Sequence, residues 1–192
     1  MQKRTDRITL RQYHSLAMRT SQNDGHDKVD NGMLGLLGES GELIDILKKM
    51  KYQSTPDAAW PIWEIADELG DVLWYLEEMA DGIGTTMELM AATTFEELDA
   101  MTRKNSRHNI EKVILNLSTH AHNIRKAIRR KDAKTRDIQM RRMLYAAACL
   151  ARAIGMPIED VARRNIDKLM RRYPNGFDAG ISMARYTAKE RK

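Results

Sequence analysis

Apolar positions recur along this chain at three- and four-residue steps, the spacing that lines one face of a helix. Leu69, Val72, Leu73, Leu76, Met79 and Ile83 make the clearest stripe and predict a helix over about 62–82. Ile110, Val113, Ile114, Leu117, Ala121, Ile124 and Ile128 make a second, and Met140, Met143, Leu144, Ala147, Ala151 and Ile154 a third. A short N-terminal helix turns Leu10, Tyr13, Ala17 and Met18 inward, and another helix runs over about 33–50. The intervening SQNDGHDKVDNG (21–32) is polar and aperiodic and reads as a loop, as does 52–61. Gly155 stops the third stripe, Pro157 opens a last helix with its preset φ, and Pro174 bars that helix from passing Tyr173. Antiparallel packing in a bundle is the economical way to bury such stripes.

Composition narrows the fold class further. Four prolines, thirteen methionines and 6% aromatic residues suit an all-α chain better than a sheet. At 192 residues the chain is expected to form one domain. No apolar run approaches the ~18–20 residues of a membrane helix, and the start, MQKRTDRITLRQYH, is too polar for a secretory signal. The single cysteine, Cys149, excludes an internal disulfide and fits a reducing, cytoplasmic setting; in its Ala-rich stripe it reads as buried rather than nucleophilic. One internal echo, Ile83-Gly84 against Ile154-Gly155, sits between helical segments at a shift of 71.

The net charge of +5 hides a division. Over 39–99 fifteen acids face three lysines, whereas over 103–142 thirteen basic residues face three acids. Within the acidic part, Glu39 and Glu42 stand at i and i+3 on one expected helix, and Glu68 and Asp71 do so on the next. Each pair points one way, and antiparallel return of the second helix lets the pairs face each other. Four converging carboxylates repel one another and resist desolvation unless a cation neutralises them. All-oxygen donors favour Mg²⁺ or Mn²⁺ over zinc or iron, and neither Glu42 nor Asp71 is the histidine of a di-iron bundle. Solvated surface acids are the bland alternative.

The words around these acids specify more. GLLGESGELIDILKK (35–49) and EIADELGDVLWYL (64–76) resemble the two halves of the MazG signature, Glu-x-x-Glu, a spacer, then Glu-x-x-Asp. NIDKLMRRYPNGF (165–177) resembles the end of short, phage-type members of that family of all-α nucleoside triphosphate pyrophosphohydrolases. The resemblance covers about 10–84 and 144–177. It leaves a basic helical insertion at about 92–139, in a single domain with its core at about 10–91 and 140–177 and a flexible tail at 178–192.

The resemblance implies that Glu39, Glu42, Glu68 and Asp71 are catalytic and ligate Mg²⁺. It implies water attack on the α-phosphorus of a (deoxy)nucleoside triphosphate, releasing pyrophosphate and a monophosphate, with Glu42 orienting or deprotonating the water. Asn165, Lys168 and Arg172, at i, i+3 and i+7, match the family's Asn-x-x-Lys pattern and its following arginine, implicated in nucleotide and phosphate contact. Lys49, two turns beyond Glu42, is placed to meet phosphate; Trp74 and Tyr75 to stack on the base; Asn31 to touch it. A helix-dipole lysine and simple core packing are the plain alternatives for Lys49 and the aromatic pair. Family members are dimers or tetramers, so a homo-oligomer is expected, in the host cytoplasm if phage-encoded, acting in nucleotide-pool control. The base is left open among dGTP, dCTP, dUTP, a damaged nucleotide and the alarmone ppGpp, whose hydrolysis is the alternative activity.

The five histidines, His14, His26, His108, His120 and His122, lack metal-ligand spacing and read as non-ligands. No Walker lysine or Rossmann fingerprint appears. A binding function for the basic stretch around Arg125, Lys126, Arg129 and Arg130 competes with the enzyme reading, but it has no interleaved aromatics to stack on bases. Those charges are expected to face the acidic half of this chain or of a neighbour, so nucleic acid is disfavoured as a partner.

Overall fold

The computed structural model describes residues 8–22, 25–103 and 109–189. Among these, all regular structure is helical, with no strand. The helices are α1 (Leu10–Ala17), α2 (Gly25–Tyr52), α3 (Ile62–Gly82), α4 (Met87–Ala91), α5 (Phe95–Arg103), α6 (Ile110–Arg129), α7 (Ala133–Ala153), α8 (Ile158–Arg172) and α9 (Ala179–Lys189), with a 3-10 turn at Met18–Thr20. None is long and apolar enough to cross a membrane.

Local chemistry sets several of these boundaries. Thr9 and Gln12 form a reciprocal capping box at the start of α1. Asn109 caps α6 and Asp132 caps α7, each accepting from the backbone N–H three residues on. Pro157 stands at the N-cap of α8, one position before the first helical turn where the sequence puts it. Tyr173, ahead of Pro174, closes that helix as expected. The two Ile-Gly breaks end alike: Gly84 and Gly155 take φ of 78° and 80°, and the residue after each donates to the carbonyl five residues back, at 2.9 Å.

α2 and α3 form the long antiparallel pair on which the molecule is built, with α6 and α7 as a second pair and α8 packed across α3. The three stripes are buried: Leu69, Val72, Leu73, Leu76 and Met79 from α3, Ile114, Leu117 and Ile124 from α6, Met140, Met143 and Leu144 from α7. All belong to one continuous core that also holds Leu10, Tyr13 and Ala17 of α1 and Val161 of α8. Cys149 lies buried in α7, and burial raises its thiol pKa.

One expectation about loops is corrected. The polar stretch 25–32 is not a loop but the first turns of α2. Its anchors are polar: the Lys28 ammonium bonds Asp81, and Asn31 Nδ2 donates to Glu78 at 2.6 Å. The tail after Asp178 is helical from Ala179 to Lys189, and Asp178 Oδ1 accepts from the Ile181 N–H at 2.9 Å in its first turn.

Ion pairs join the basic block to the acidic stretch, Lys51 with Glu111 at 2.6 Å and Arg103 with Asp99, the last acid of that stretch, also at 2.6 Å. Arg136 bonds Asp137 at 2.8 Å, while Lys126, Arg129, Arg130, Lys131 and Lys134 are exposed. Lys104, Arg107, His108 and the His26 side chain lie outside the described residues, as do 190–192.

Candidate functional site

The long pair carries its acids on facing sides. From α2, Asn31, Glu39 and Glu42 line a cavity of about 750 Å³, opposite Glu68, Asp71, Trp74, Tyr75 and Glu78 of α3. Lys168 and Arg172 of α8 and Tyr173 and Phe177 beyond it complete the wall, with Thr20 from the 3-10 turn. Close helix approach depends on two glycines. A Cβ at Gly35 would lie 2.2 Å from the Tyr75 ring, and one at Gly70 2.9 Å from Asn165 Cβ. These bare positions seat Tyr75 against α2 and α8 against α3.

Carboxylate oxygens of Glu39, Glu68 and Asp71 lie within 4.8 Å of one another. All three are half-buried, and crowding perturbs them. The Glu39 carboxyl is pushed up to about 8, first by burial, then by the Asp71 charge and the hydrogen bond to Glu68. Glu68 is raised as well, again by burial first, with Asp71 repulsion opposing the lowering effect of that same hydrogen bond. Glu39 therefore holds a proton near neutrality and shares it with Glu68. Such a cluster is the environment that a hard divalent cation relieves: three oxygen donors, mutual repulsion and partial desolvation.

The fourth acid differs. Glu42 lines the cavity but is exposed and stands outside the triad. Lys168 pairs with Asp71 Oδ1 at 2.7 Å and donates to the Asp67 carbonyl at 3.2 Å, so a cation already leans on the acidic side. Arg172 lines the same wall. Asn165 is 2% exposed and donates through Nδ2 to Asp71 Oδ1 at 2.9 Å, so it touches a carboxylate rather than the open cavity. Lys49 is not brought to the cavity. It is exposed and ion-paired with Asp45, one turn back on its own helix, at 2.7 Å.

Trp74 and Tyr75 are half-buried, their rings edge to face with centroids 4.9 Å apart. Trp74 Nε1 donates to Thr20 Oγ1 at 3.0 Å and to the Ala17 carbonyl at 3.2 Å, which holds the indole in place. Tyr75 is pushed up to about 12 by burial and then by Glu39 and Asp71, so its phenol stays protonated. Asn31, through its bond to Glu78, stands at the α2 wall.

Among the lining groups not singled out from the sequence are Glu78, Asp67, Tyr173 and Phe177. Glu78 follows Asp71 by seven residues, on the stripe of Glu68, Asp71 and Tyr75, and that spacing was the available signal. It accepts from Ser21 Oγ at 2.8 Å as well as from Asn31. Asp67 is gripped by Arg164 at 2.7 and 3.0 Å; burial opposes its ionisation, but the guanidinium carries it below its ordinary value. Tyr173 and Phe177 stack with centroids 5.6 Å apart and form an aromatic wall visible only after α8 folds back.

Residues 28–110 match the family model of the MazG nucleotide pyrophosphohydrolase domain. That segment carries all four acids and runs past α4 and α5, into the stretch read from sequence as inserted; α1, α7 and α8 fall outside it. No curated protein and no solved structure matches the chain.

Proposed function

We propose that this protein is a metal-dependent nucleotide pyrophosphohydrolase that cleaves a nucleoside triphosphate between its α- and β-phosphorus atoms. The observation that carries the reading is the triad Glu39, Glu68 and Asp71 converging in a cavity with Lys168 and Arg172 beside it and aromatic rings at hand.

The donor set fits a hard divalent cation, and Glu39, Glu68 and Asp71 would hold it. Bound there, Mg²⁺ would neutralise triphosphate charge and favour water attack over the uncatalysed reaction. Lys168 and Arg172 supply the remaining positive charge to phosphate oxygens; Lys168 exchanges its Asp71 contact for the substrate. Glu42, exposed beside the triad, orients the attacking water and accepts its proton. The water oxygen bonds to the α-phosphorus as the bridging oxygen departs with pyrophosphate. Trp74, Tyr75 and the Tyr173–Phe177 pair offer apolar faces to the base, and Asn31 a polar edge.

The single-domain reading, with 92–139 as an elaboration of the core, fits one continuous cluster of buried residues from α1 to α8. A homo-oligomer is supported by large apolar side chains left in solvent, among them Leu34 at 63% exposure and Trp63 at 59%.

The test is pyrophosphate release from a panel of ribo- and deoxynucleoside triphosphates, with Mg²⁺ or with chelator, in the parent, Glu39→Gln and Glu68→Gln. Release from one or a few nucleotides, lost with chelator and in both variants, is expected. Absence of release across the panel, ppGpp included, sinks the reading.

A further inference from the structure

Tyr13, on α1, lies outside the family-matched segment and has no exposed surface at all. Its ring packs edge-on against Phe95, centroids 6.2 Å apart. A phenol buried so completely must give its O–H to an acceptor, and Tyr13 Oη donates to Asn165 Oδ1 at 3.0 Å. That bond settles which way the amide faces. With Oδ1 taken, Nδ2 is turned to Asp71 and donates to its Oδ1 at 2.9 Å. Lys168, one turn on along α8, converges on the same carboxylate oxygen. Gly70 keeps the space: a Cβ there would meet Asn165 Cβ at 2.9 Å. The phenol also stays a donor, because burial, then the charges of Glu77 and Asp71, hold its pKa well above the ordinary value.

α1 is itself fixed from both sides. The Ile8 N–H donates to Glu159 Oε1 on α8 at 3.1 Å, and Trp74 of α3 donates to the Ala17 carbonyl. The N-terminal helix thus spans the two elements that carry Asp71 and its partners.

We propose that Tyr13 is a positioning residue of the acidic centre, acting through Asn165 to fix the Asp71 carboxylate for cation binding. This rests on the reading of Glu39, Glu68 and Asp71 as the cation site. Asn165, expected from its sequence pattern to touch nucleotide, serves in this arrangement as the link between the phenol and the carboxylate. Outer partners of ligating groups typically govern metal affinity by about 10–100-fold. Tyr13 acts one bond further out, so its loss should sit at the lower end.

The experiment is titration of the full-length protein with Mn²⁺ alone, without nucleotide, well below the melting temperature of every variant. Thermal melts in chelator run alongside. Tyr13→Phe is expected to keep a cooperative melt and to bind Mn²⁺ about tenfold more weakly. Asn165→Ser is expected to lose at least as much, and the double variant no more than Asn165→Ser alone, because the two residues act in series. Under Mg²⁺, Tyr13→Phe should lower kcat for the hydrolysed nucleotide more than it changes KM. Parent affinity for Mn²⁺ in Tyr13→Phe, or additive losses in the double variant, would overturn the proposal. If Tyr13→Phe does not fold, Asn165→Ser at parent affinity overturns it equally. Failure of the cation site is separable: parent Mn²⁺ binding would then survive Glu68→Gln.

Discussion

Glu39 and Lys49 sit ten residues apart on the same helix and have opposite fates. Glu39 faces two carboxylates across a narrow gap and stays protonated up to about pH 8. Its ordinary value is 4.5, so below that pH the folded and unfolded chains both carry the proton. Between 4.5 and about 8 the unfolded chain releases it while the folded one retains it, and stability of the metal-free protein falls as pH rises, levelling above about 8. Glu39→Gln cannot titrate. The melting temperature of the parent in chelator should therefore decline relative to Glu39→Gln across that window; a constant difference would contradict the assignment. Because ligation requires the carboxylate, Mn²⁺ added at pH 7 should release protons, measurable in weak buffer. Lys49 shares the face of Glu42 in sequence, but Asp45 lies one turn back and captures it in a local pair. Lys49→Ala should leave pyrophosphate release unchanged, whereas Lys168→Met should lower kcat/KM; equal effects of the two would contradict the placement.

At the scale of elements, the α2–α3 contact decides the site. Glycines on α2 differ sharply in surroundings: a Cβ at Gly35 collides with the Tyr75 ring, while one at Gly38 meets nothing within 4 Å. Gly35→Ala should destabilise by about 1–3 kcal/mol through overpacking and disturb nucleotide binding by moving Tyr75. Gly38→Ala should stabilise by up to about 1 kcal/mol through helix propensity. Urea unfolding of both variants checks the sign. The bounds of α3 were legible because its apolar stripe is unbroken from Ile65 to Met79. The first turns of α2 were not. Their stability comes from Lys28 reaching Asp81 and Asn31 reaching Glu78, contacts with a helix some fifty residues away that leave no local apolar period. α9 escaped notice for a related reason: its apolar residues Ile181 and Met183 are exposed, so no buried stripe announces it.

For the whole molecule, sequence spacing pointed to the meeting of Glu39, Glu68 and Asp71, since i, i+3 pairs on antiparallel helices can face each other. What spacing leaves open is depth. Glu42 and Glu39 share a face, yet only Glu39 is drawn into the half-buried cluster. The sequence pattern pointed to Asn165, Lys168 and Arg172 of α8, but the contribution of α1 was hidden, because Tyr13 and Asn165 are 152 residues apart and meet only in the folded bundle. Leu34, Trp63 and Leu115 are exposed, and the proposed self-association would bury them. Sedimentation velocity should show a dimer or tetramer at micromolar concentration, against a monomer if those side chains are merely solvated.

The most direct check on the central claim is ³¹P NMR of a hydrolysed nucleoside triphosphate incubated with the protein. With Mg²⁺, equal amounts of monophosphate and pyrophosphate should appear, and neither should form with chelator or with Glu68→Gln. Nucleoside diphosphate and orthophosphate as products, or pyrophosphate persisting in Glu68→Gln, would contradict it.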